Sequence, residues 1–538
     1  MSISKLHHFV NRQATLRPDS TAVVMRSEHL TYRDLEVQSD KLATLLSKAG
    51  CKHGDRVALL LPKEPQTLIC MLAVMKCGAA YVPLDITNPA ERVSKMISRS
   101  EPRIILAHSK SEKLLQNILN YLPATNIPLV GWMEEGQPNL SGFTVAFNRD
   151  DMQTVNLVDY EPDTNPDATA HILFTSGSTG IPKGVMVTHS NVITFVKWAT
   201  AYFGMNAYDR VSGHAPLHFD LSTFDIYGAF ASGAQLHMAP PDIGIIPNQI
   251  AAFMEHSELT QWFSVPSLLS YMARFDAVHH NAMPHMTRLL WCGEVFPTSA
   301  LRYWMERLPH VEFTNLYGPT ETTIASSYHT VPAIPKTDDE EVPIGQPCAG
   351  EDLLILNDRL KPVPDGEIGD LYIKGVGLTK GYWRDQEKTD EVFRKVREDR
   401  NGHSLIYKTG DLARKGSDGL VYYHGREDYQ VKTRGYRVEL GEVENGLLRI
   451  PGIKECAVVP YQSNGMDAKA IGAILVMHED YQNPDLIKMR KDLSEFVPSY
   501  ALPAKWLELN EMPRNANGKI DRKSLIMQIE NHVPVSHS

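Results

Sequence analysis

Short apolar segments alternate with longer amphipathic stretches along most of this 538-residue chain, and this alternation restricts the fold more than any other feature. Segments such as Arg56–Leu61, Arg103–Ala107 and Gln235–Met238 have the length and apolar content of buried strands. Helix-like stretches, for example Tyr32–Ala49 and Pro89–Ser98, lie between such segments. Strands that alternate with helices favour an α/β architecture with largely parallel sheets.

The pattern changes twice towards the C-terminus. From Glu351 short strands and turns follow one another, as in DLLILND, GDLYIKG and GLVYYHG, which is typical of a smaller β-rich subdomain. After about Asp428 strands and helices alternate again over roughly a hundred residues, a common domain size. Because the chain is longer than one hydrophobic core usually supports, we expect an N-terminal domain over 1–427 and a small α+β domain over 428–538.

Composition excludes several classes of function. The formal net charge of −10 argues against a nucleic-acid binder, which normally carries a basic face. Six scattered cysteines without a CxxC pair fit reduced thiols better than a disulfide framework or a zinc site. The most apolar stretch, Thr67–Leu84, is interrupted by Lys76, Gly78 and Pro83, so it does not predict a membrane span. With no evident signal peptide, we expect a soluble cytoplasmic protein.

The ten residues Thr175–Gly184, TSGSTGIPKG, are the most informative segment for chemistry. Glycines let backbone N–H groups approach an anion, hydroxyl groups add donors, and Lys183 supplies positive charge. The segment is not a Walker A loop, because Pro182 precedes the lysine and Gly184 stands where Ser or Thr is required. It also lacks the GxSxG pattern of a nucleophile elbow. A short run of this kind could be a surface turn, but its full composition predicts a polyphosphate-binding loop.

Five motifs in the same order resemble those of the adenylate-forming enzyme superfamily, and the resemblance extends from about residue 10 to residue 525. They are the phosphate loop Thr175–Gly184, the adenine and magnesium motif Asn315–Thr323, the ribose motif Tyr407–Asp411, the hinge motif Gly425–Lys432 and the lysine loop Asn517–Asp521. The resemblance implies a large N-terminal domain of α/β subdomains with a β-rich subdomain, and a small mobile α+β C-terminal domain. It also implies that ATP and Mg²⁺ are used to activate a carboxylic acid as an acyl-AMP.

The same resemblance assigns roles to individual motif residues. The implied catalytic residues are Lys519, Thr320 and Glu321. The implied ATP- or AMP-binding residues are Thr175, Ser176, Gly177, Ser178, Thr179, Gly180, Lys183, Asn315, Tyr317, Gly318, Thr320, Asp411, Arg426 and Lys519. Lys519 would bridge the substrate carboxylate and ATP, and Glu321 would hold Mg²⁺ together with phosphate oxygens. Asp428 would be the pivot about which the small domain rotates between the two half-reactions.

Taken singly, these residues have ordinary explanations. Tyr317 could belong to the core, Lys519 could be a solvated loop residue, and Asp411 could form a turn. Their joint order favours the roles implied above, in which Tyr317 presents its face to adenine and Asp411 accepts hydrogen bonds from the ribose hydroxyls.

The segment Phe219–Phe224 indicates which acid is activated. It resembles the part of non-ribosomal peptide synthetase adenylation domains in which an aspartate pairs with the substrate α-amino group. Asp220 would take that role here; alternatively, it could be the N-cap of a helix over Phe224–Phe230. The implied pocket comprises Asp220, Leu221, Phe224, Phe263, Leu290, Cys292, Leu316, Ile324 and Ala325. Apart from Asp220 and Lys519 this lining is uncharged, so a polar substrate side chain would be left unpaired.

The pocket is similar to that of stand-alone L-proline ligases, which load a carrier protein in pathways to pyrrole and pyrroline natural products, including anatoxin. The resemblance therefore implies L-proline as substrate. Only a short tail follows Lys519. The acceptor is therefore expected to be a separate carrier protein bearing phosphopantetheine, with no nucleic-acid or membrane partner. A D-alanine–carrier protein ligase and an acyl- or aryl-CoA ligase remain alternatives, whereas Asp220 argues against a luciferase-like oxidase. The motif set argues against an inactive scaffold.

Overall fold

The computed structural model describes residues 3–123, 127–157, 164–177, 181–244, 246–398, 402–426, 430–433, 435–462, 469–478, 480–481, 485–514 and 520–531. Within these ranges the predicted alternation of strands and helices is confirmed. The α-helices are His7–Leu16, Tyr32–Lys48, Pro65–Lys76, Ala90–Ser100, Ser109–Ile118, Asp151–Thr154, His189–Tyr202, Asp220–Ser232, Pro247–His256, Pro266–Arg274, Thr298–Arg307, Gln386–Val392, Leu440–Leu447, Leu486–Leu493 and Arg522–Asn531. Short 3₁₀ helices are Leu119–Tyr121, Pro241–Ile243, Thr320–Thr322 and Ser499–Ala501.

The largest sheet has a parallel centre and antiparallel edges. In the described part of the chain its nine strands are, in hydrogen-bonded order, Gln346–Pro347, Ser327–Thr330, Glu312–Tyr317, Arg288–Cys292, Gln261–Ser264, Arg210–Gly213, Gln235–Met238, Thr21–Met25 and Glu28–Thr31. The strands from Glu312–Tyr317 to Thr21–Met25 are parallel. Their carboxyl ends therefore meet at one edge, where ligands of open α/β sheets usually bind.

A second sheet carries the glycine-rich loop. Among the described residues it has seven strands in the order Val145–Asn148, Leu129–Trp132, Ile104–Ala107, Arg56–Leu60, Ala80–Pro83, Thr169–Thr175 and Lys183–Thr188. All neighbours are parallel except the last pair, which is antiparallel. The inner strands Ile104–Ala107 and Ala80–Pro83 are buried along their whole length, which explains their nearly continuous apolar sequences.

The β-rich subdomain expected after Glu351 is also confirmed. Its antiparallel strands are Glu351–Leu356, Gly369–Gly375, Phe393–Glu398, Gly402–Lys415 and Val421–Arg426. The C-terminal part then has a hairpin and a three-stranded sheet with helices packed on it. The hairpin strands are Gln430–Thr433 and Tyr436–Glu439, and the sheet strands are Ile453–Gln462, Lys469–Met477 and Lys505–Glu508. Residues 427–429 lie outside the described ranges, so the domain boundary at 427/428 stays a prediction.

Local sequence explains why individual helices begin where they do. Thr31 and Asp34 form a capping box at the start of the helix Tyr32–Lys48. Thr188 and Asn191 form another at the start of His189–Tyr202, which leads directly out of the strand after the glycine-rich loop. Every helix within the described ranges is too short or too polar to cross a lipid bilayer.

Candidate active site

The glycine-rich loop connects two antiparallel strands, in which Thr175 lies opposite Lys183. A Cβ atom on Gly177 would lie 2.1 Å from the carbonyl oxygen of Ile181, so this position accepts only glycine. Thr175 Oγ1 is buried and has no hydrogen-bond partner among the described residues. Ser178, Thr179 and Gly180, which we expect to bind phosphate, lie outside the described residues.

A fully buried carboxylate, that of Glu321, lies beside the loop. Both of its oxygens accept hydrogen bonds at 3.0 Å from Nη1 of Arg437, and Oε1 accepts a third at 2.7 Å from the Tyr382 hydroxyl. Burial by itself raises the pKa of Glu321, but Arg437 and Lys183 outweigh it and lower that pKa to about 2. Glu321 is therefore ionised at neutral pH.

Lys183 contributes the second cation of this cluster. Its Nζ atom lies 3.6 Å from Oε1 of Glu439 and 5.3 Å from the centre of the Tyr382 ring. Burial and the neighbouring Arg437 lower the pKa of Lys183, while the carboxylates of Glu321 and Glu439 oppose this shift.

The strand Tyr436–Glu439 from the C-terminal part packs directly on the loop. Ser176 Oγ donates a hydrogen bond at 2.7 Å to the backbone oxygen of Arg437. The backbone N–H of Gly435 donates at 2.7 Å to Glu294, which follows the central strand Arg288–Cys292. The C-terminal part therefore contributes both charge and backbone to the candidate site.

The nucleotide motifs converge on Asp411. Its carboxylate accepts a hydrogen bond at 2.5 Å from the hydroxyl of Tyr317 and one at 2.6 Å from Nη1 of Arg426. Asn315 lies two residues before Tyr317 on the same strand, and its side-chain amide donates to the backbone oxygen of Pro343 at 2.9 Å. A cavity of about 1120 Å³ is lined by these four motif residues, which is ample for a nucleotide.

The turn after Tyr317 is strained and tightly packed. Thr323 and Ile324 have φ angles of 63° and 69°, which cost about 1–3 kcal/mol each for residues with a side chain. A Cβ on Gly318 would lie 2.6 Å from the Cα atom of Ala325, so the two sides of the turn can approach only because residue 318 is glycine. Such strain is common where a turn must hold side chains at a functional site.

Asp220 lies at the start of the helix Asp220–Ser232, where its Oδ2 atom accepts a hydrogen bond at 2.8 Å from Thr320 Oγ1. The N-cap residue is Phe219 and makes no side-chain capping bond, so the capping alternative for Asp220 is wrong, and the helix begins earlier than the predicted Phe224. Burial raises the pKa of Asp220, while Thr320 and the ammonium of Lys432 oppose the shift. The ionised carboxylate of Asp220 is thus stabilised by one hydroxyl group and by Lys432, which do not outweigh the cost of burial.

Eight apolar residues named as the pocket lining belong to one buried cluster: Leu221, Phe224, Phe263, Leu290, Cys292, Leu316, Ile324 and Ala325. The rings of Phe224 and Phe263 meet edge to face, with centroids 5.9 Å apart. Burial raises the pKa of Cys292 to about 12, so its thiol is neutral and acts as an apolar wall. These side chains come from five separate stretches of sequence and all lie in the main hydrophobic core, so their role as a pocket lining stays a prediction.

Other expectations lie outside the described residues or were incomplete. Lys519 and Asp428 fall in 515–519 and 427–429, which the structure does not describe, so their roles stay predictions. Sequence reasoning missed Arg437 and Tyr382, the two partners of Glu321. Tyr382 lies outside the five motifs described above, and Arg437 follows the hinge motif by five residues.

The chemistry of Glu321 is compatible with a hard cation, because it is an ionised oxygen ligand. Across the described ranges, no three His, Cys, Asp or Glu side chains gather into a metal-binding group. A divalent cation at this position would therefore take one ligand from Glu321 and others from a bound substrate. Glu321 is paired with Arg437 in the present arrangement.

Comparisons with known proteins agree with this geometry. A profile of AMP-binding enzymes matches residues 10–383, and one of the AMP-binding enzyme C-terminal domain matches residues 442–519. An L-proline–[L-prolyl-carrier protein] ligase of Streptomyces coelicolor is 33% identical over 97% of this chain and 96% of its own. A D-alanine–D-alanyl carrier protein ligase of Bacillus cereus is 30% identical over 98% of this chain and 99% of its own. A Vibrio cholerae adenylation domain solved with glycyl-adenosine-5'-phosphate has a TM-score of 0.82, with 26% identity and 99% coverage of both chains.

Proposed function

Because this chain belongs to the family of AMP-binding enzymes, we propose that it is a ligase that activates L-proline with ATP and transfers the prolyl group to a carrier protein. The observation that carries the proposal is the hydrogen bond of 2.8 Å between Thr320 and Asp220. It joins the strand and turn that bear the nucleotide residues to the helix that bears the candidate ammonium partner. An amino acid held at Asp220 would thus lie next to the nucleotide cavity.

The first half-reaction joins the amino-acid carboxylate to the α-phosphorus of ATP. A carboxylate oxygen attacks phosphorus, the bond to the bridging oxygen breaks, and pyrophosphate leaves with its electron pair, which gives prolyl-AMP. Carboxylate and triphosphate repel each other, so cationic groups must neutralise the developing charge. Lys183, beside the loop, would be one of these groups, and the resemblance assigns a second lysine, Lys519.

In the nucleotide part of the site, Asp411 would accept hydrogen bonds from ribose and Tyr317 would offer its ring to adenine. The present contacts of Asp411 with Tyr317 and Arg426 hold its carboxylate in the cavity wall. Glu321 would hold Mg²⁺, with phosphate oxygens completing the shell, and the ion would supply charge neutralisation on the phosphates. For that, Glu321 must exchange its contact with Arg437.

The second half-reaction releases AMP. A phosphopantetheine thiolate attacks the carbonyl carbon of prolyl-AMP, the mixed anhydride bond breaks, and AMP leaves as a thioester forms. Both carrier protein ligases described above have names that support this acceptor. In the present arrangement the strand Tyr436–Glu439 contacts the phosphate loop, and Arg437 occupies the Glu321 carboxylate that would hold Mg²⁺ in the reaction with ATP. We therefore assign this arrangement to the transfer step.

Proline fits the apolar cluster better than the alternative, D-alanine. The proline and D-alanine ligases resemble this chain about equally, so identity does not choose between them. Burial of each methylene group against an apolar lining contributes about 0.8 kcal/mol, and alanine has fewer carbon atoms to bury than proline. The ring of proline offers more methylene groups to this surface, while its secondary ammonium can pair with Asp220.

The test is ATP–pyrophosphate exchange over a panel of amino acids, followed by mass measurement of a phosphopantetheinylated carrier protein after incubation with ATP and L-proline. We expect the highest exchange with L-proline and a carrier that gains one prolyl group. Lys519→Ala should abolish exchange, whereas the exposed Lys488→Ala should not. Highest exchange with D-alanine would favour the alternative, and exchange with no amino acid would contradict the proposed activity.

A further inference from the structure

Behind the strained turn Thr323–Ile324 lies a buried carboxyl group that the reaction outlined above does not use. Glu351 is 8% exposed, at the start of the strand Glu351–Leu356. Its Oε1 atom accepts a hydrogen bond at 2.6 Å from the backbone N–H of Gly377. Its Oε2 atom is buried and has no hydrogen-bond partner among the described residues. A buried acidic side chain with one unsatisfied oxygen is costly, so a compensating role is expected.

The contact continues from Gly377 to the amino-acid pocket. The backbone oxygen of Gly377 accepts a hydrogen bond at 2.7 Å from Thr323 Oγ1. Thr323 is the first of the two residues with positive φ, and the next two residues, Ile324 and Ala325, belong to the pocket cluster. One short relay therefore connects the carboxyl of Glu351 to the backbone of the turn that supplies one wall of the pocket.

The segment around Gly377 is held from a second side. The side-chain amide of Asn191 donates hydrogen bonds to the backbone oxygens of Val376 at 2.8 Å and Leu378 at 3.1 Å. A Cβ on Gly377 would lie 2.5 Å from the backbone oxygen of Thr322. Because its flanks are fixed and it has no space for a side chain, we expect this segment to move as a unit, so that a shift of Glu351 also shifts the turn.

A small cavity lies between Glu351 and the pocket wall. It has a volume of about 10 Å³, and its lining includes Glu351, Thr323, Ala325, Phe195 and Trp198. Phe195 packs edge to face against the pocket residue Phe224, with centroids 5.4 Å apart. Glu351, Thr323 and the wall residue Ala325 therefore line the same small cavity.

We propose that Glu351 is a positioning residue that sets the pocket wall at Ile324 and Ala325, and so the choice of amino acid, through Gly377 and Thr323. The inference rests on the proposed activation of an amino acid. Burial raises the pKa of Glu351 to about 8, so the side chain is largely neutral at pH 7 and glutamine should imitate it. Alanine should not, because it removes the acceptor that Gly377 needs.

The experiment compares Glu351→Ala, Glu351→Gln and Thr323→Val with the wild type. Asp352→Asn is the matched control, because Asp352 is the exposed neighbour on the same strand. Exchange is measured with the amino acid that the wild type prefers, with L-valine and with varied ATP. We expect Glu351→Ala and Thr323→Val to raise KM for the preferred amino acid by roughly tenfold, which is the effect of a misfit of about one methylene group. The ratio of kcat/KM for the preferred amino acid to kcat/KM for L-valine should fall. KM for ATP should rise by less than KM for the amino acid, because Glu351, Gly377 and Thr323 do not line the nucleotide cavity.

Glu351→Gln and Asp352→Asn should behave like the wild type. If Glu351→Ala melts at a much lower temperature, Thr323→Val breaks the same relay at its other end and decides the matter. Folded variants with an unchanged amino-acid KM, or with equal rises in both KM values, would overturn the role of Glu351. Failure of the proposed function would look different, because the wild type itself would then exchange no amino acid.

Discussion

Asp220 accepts a hydrogen bond from Thr320, the residue before Glu321, yet the surroundings of the two carboxyl groups push their pKa values in opposite directions. Glu321 has Arg437 and Lys183 as cationic neighbours, which lower its pKa despite burial. Asp220 has a hydroxyl partner and the more distant Lys432, so burial prevails and raises its pKa. Two carboxyl groups with divergent pKa values often have different roles. Asp220 is the one whose charge remains to be matched, as an ammonium ligand would do.

The first prediction concerns Asp220→Asn. We expect KM for the amino acid to rise by an amount equivalent to about 2–5 kcal/mol, because a desolvated charge-assisted contact is lost, while KM for ATP changes little. The sign of the pH effect follows from the raised pKa. Binding of the ammonium needs the carboxylate, so the wild-type amino-acid KM should rise as pH falls through the pKa of Asp220, and that of the variant should not. Equal use of cyclopentanecarboxylate and proline by the wild type would contradict the ammonium role.

The second prediction concerns stability at Glu321. Glu321→Gln removes the ion-pair partner of Arg437, whose side chain is 18% exposed, so the loss of unfolding free energy should lie between the about 0–1 kcal/mol of an exposed pair and the about 3–5 kcal/mol of a fully buried one. Because the pKa of Glu321 is lowered to about 2, its contribution should be complete above the unfolded pKa and lost as pH falls towards 2. Urea unfolding at several pH values measures both effects.

A matched control for this change is Asp338→Asn, which breaks the more exposed pair with Arg302 at 2.6 Å. An exposed pair contributes about 0–1 kcal/mol. If both variants lost the same small amount, the Glu321–Arg437 pair would not be the buried ion pair described here.

At the scale of elements, two helices from opposite ends of the sequence meet through ion pairs. Arg92 on the helix Ala90–Ser100 pairs with Glu442 on the helix Leu440–Leu447, and both side chains are buried. Arg449 adds a bidentate contact with Glu91, at 2.8 and 3.0 Å. The sequence predicted a helix over Pro89–Ser98 and an alternation of strands and helices after Asp428, but such patterns do not say which distant helix completes a charge pair. Contacts of this kind become visible only in the folded molecule.

The third prediction uses this helix contact. Glu442→Gln leaves Arg92 buried without its partner, so it should disfavour the present arrangement, which we assign to transfer. We expect prolyl transfer from preformed prolyl-AMP to fall by at least roughly tenfold, because a shift of 1.4 kcal/mol already changes a population tenfold. Pyrophosphate exchange should stay within about twofold.

Lys388→Gln is the control for this prediction, because Lys388 pairs with Glu391 on its own helix, Gln386–Val392, and neither residue belongs to the contact between the two helices. Single-turnover transfer and exchange, measured on the same preparations, separate the two half-reactions. Equal losses in both for Glu442→Gln would mean that the contact is structural and that the arrangement does not belong to one step.

At the scale of the whole molecule, the sequence predicted the individual sheets and subdomains better than the contacts between them. Strand and helix periodicity depends on neighbouring residues, so the parallel sheets and the β-rich subdomain followed from local patterns. The resemblance named Glu321 and Asp220, and the eight apolar pocket residues do cluster. It did not give Arg437, which reaches Glu321 through the packing of the strand Tyr436–Glu439 on the phosphate loop, or Tyr382, which contacts Glu321 across 61 residues of sequence. Contacts of this long-range kind cannot be predicted from a local sequence pattern.

The last prediction is the substrate, which depends on the whole pocket rather than on one side chain. Apolar walls meet the single carboxylate of Asp220, and the two phenylalanine rings limit the space on one side. Phenylalanine and tryptophan should clash with these rings, and glycine and alanine should leave them partly uncovered. Valine has similar bulk to proline, but proline loses less rotamer entropy on binding because its ring is closed. We therefore expect kcat/KM in the exchange assay to be highest for L-proline, with L-valine, L-alanine and D-alanine at least roughly tenfold lower, as for mismatches of about 1–3 kcal/mol. A first place for D-alanine or L-valine would reject proline and leave the ligase activity intact.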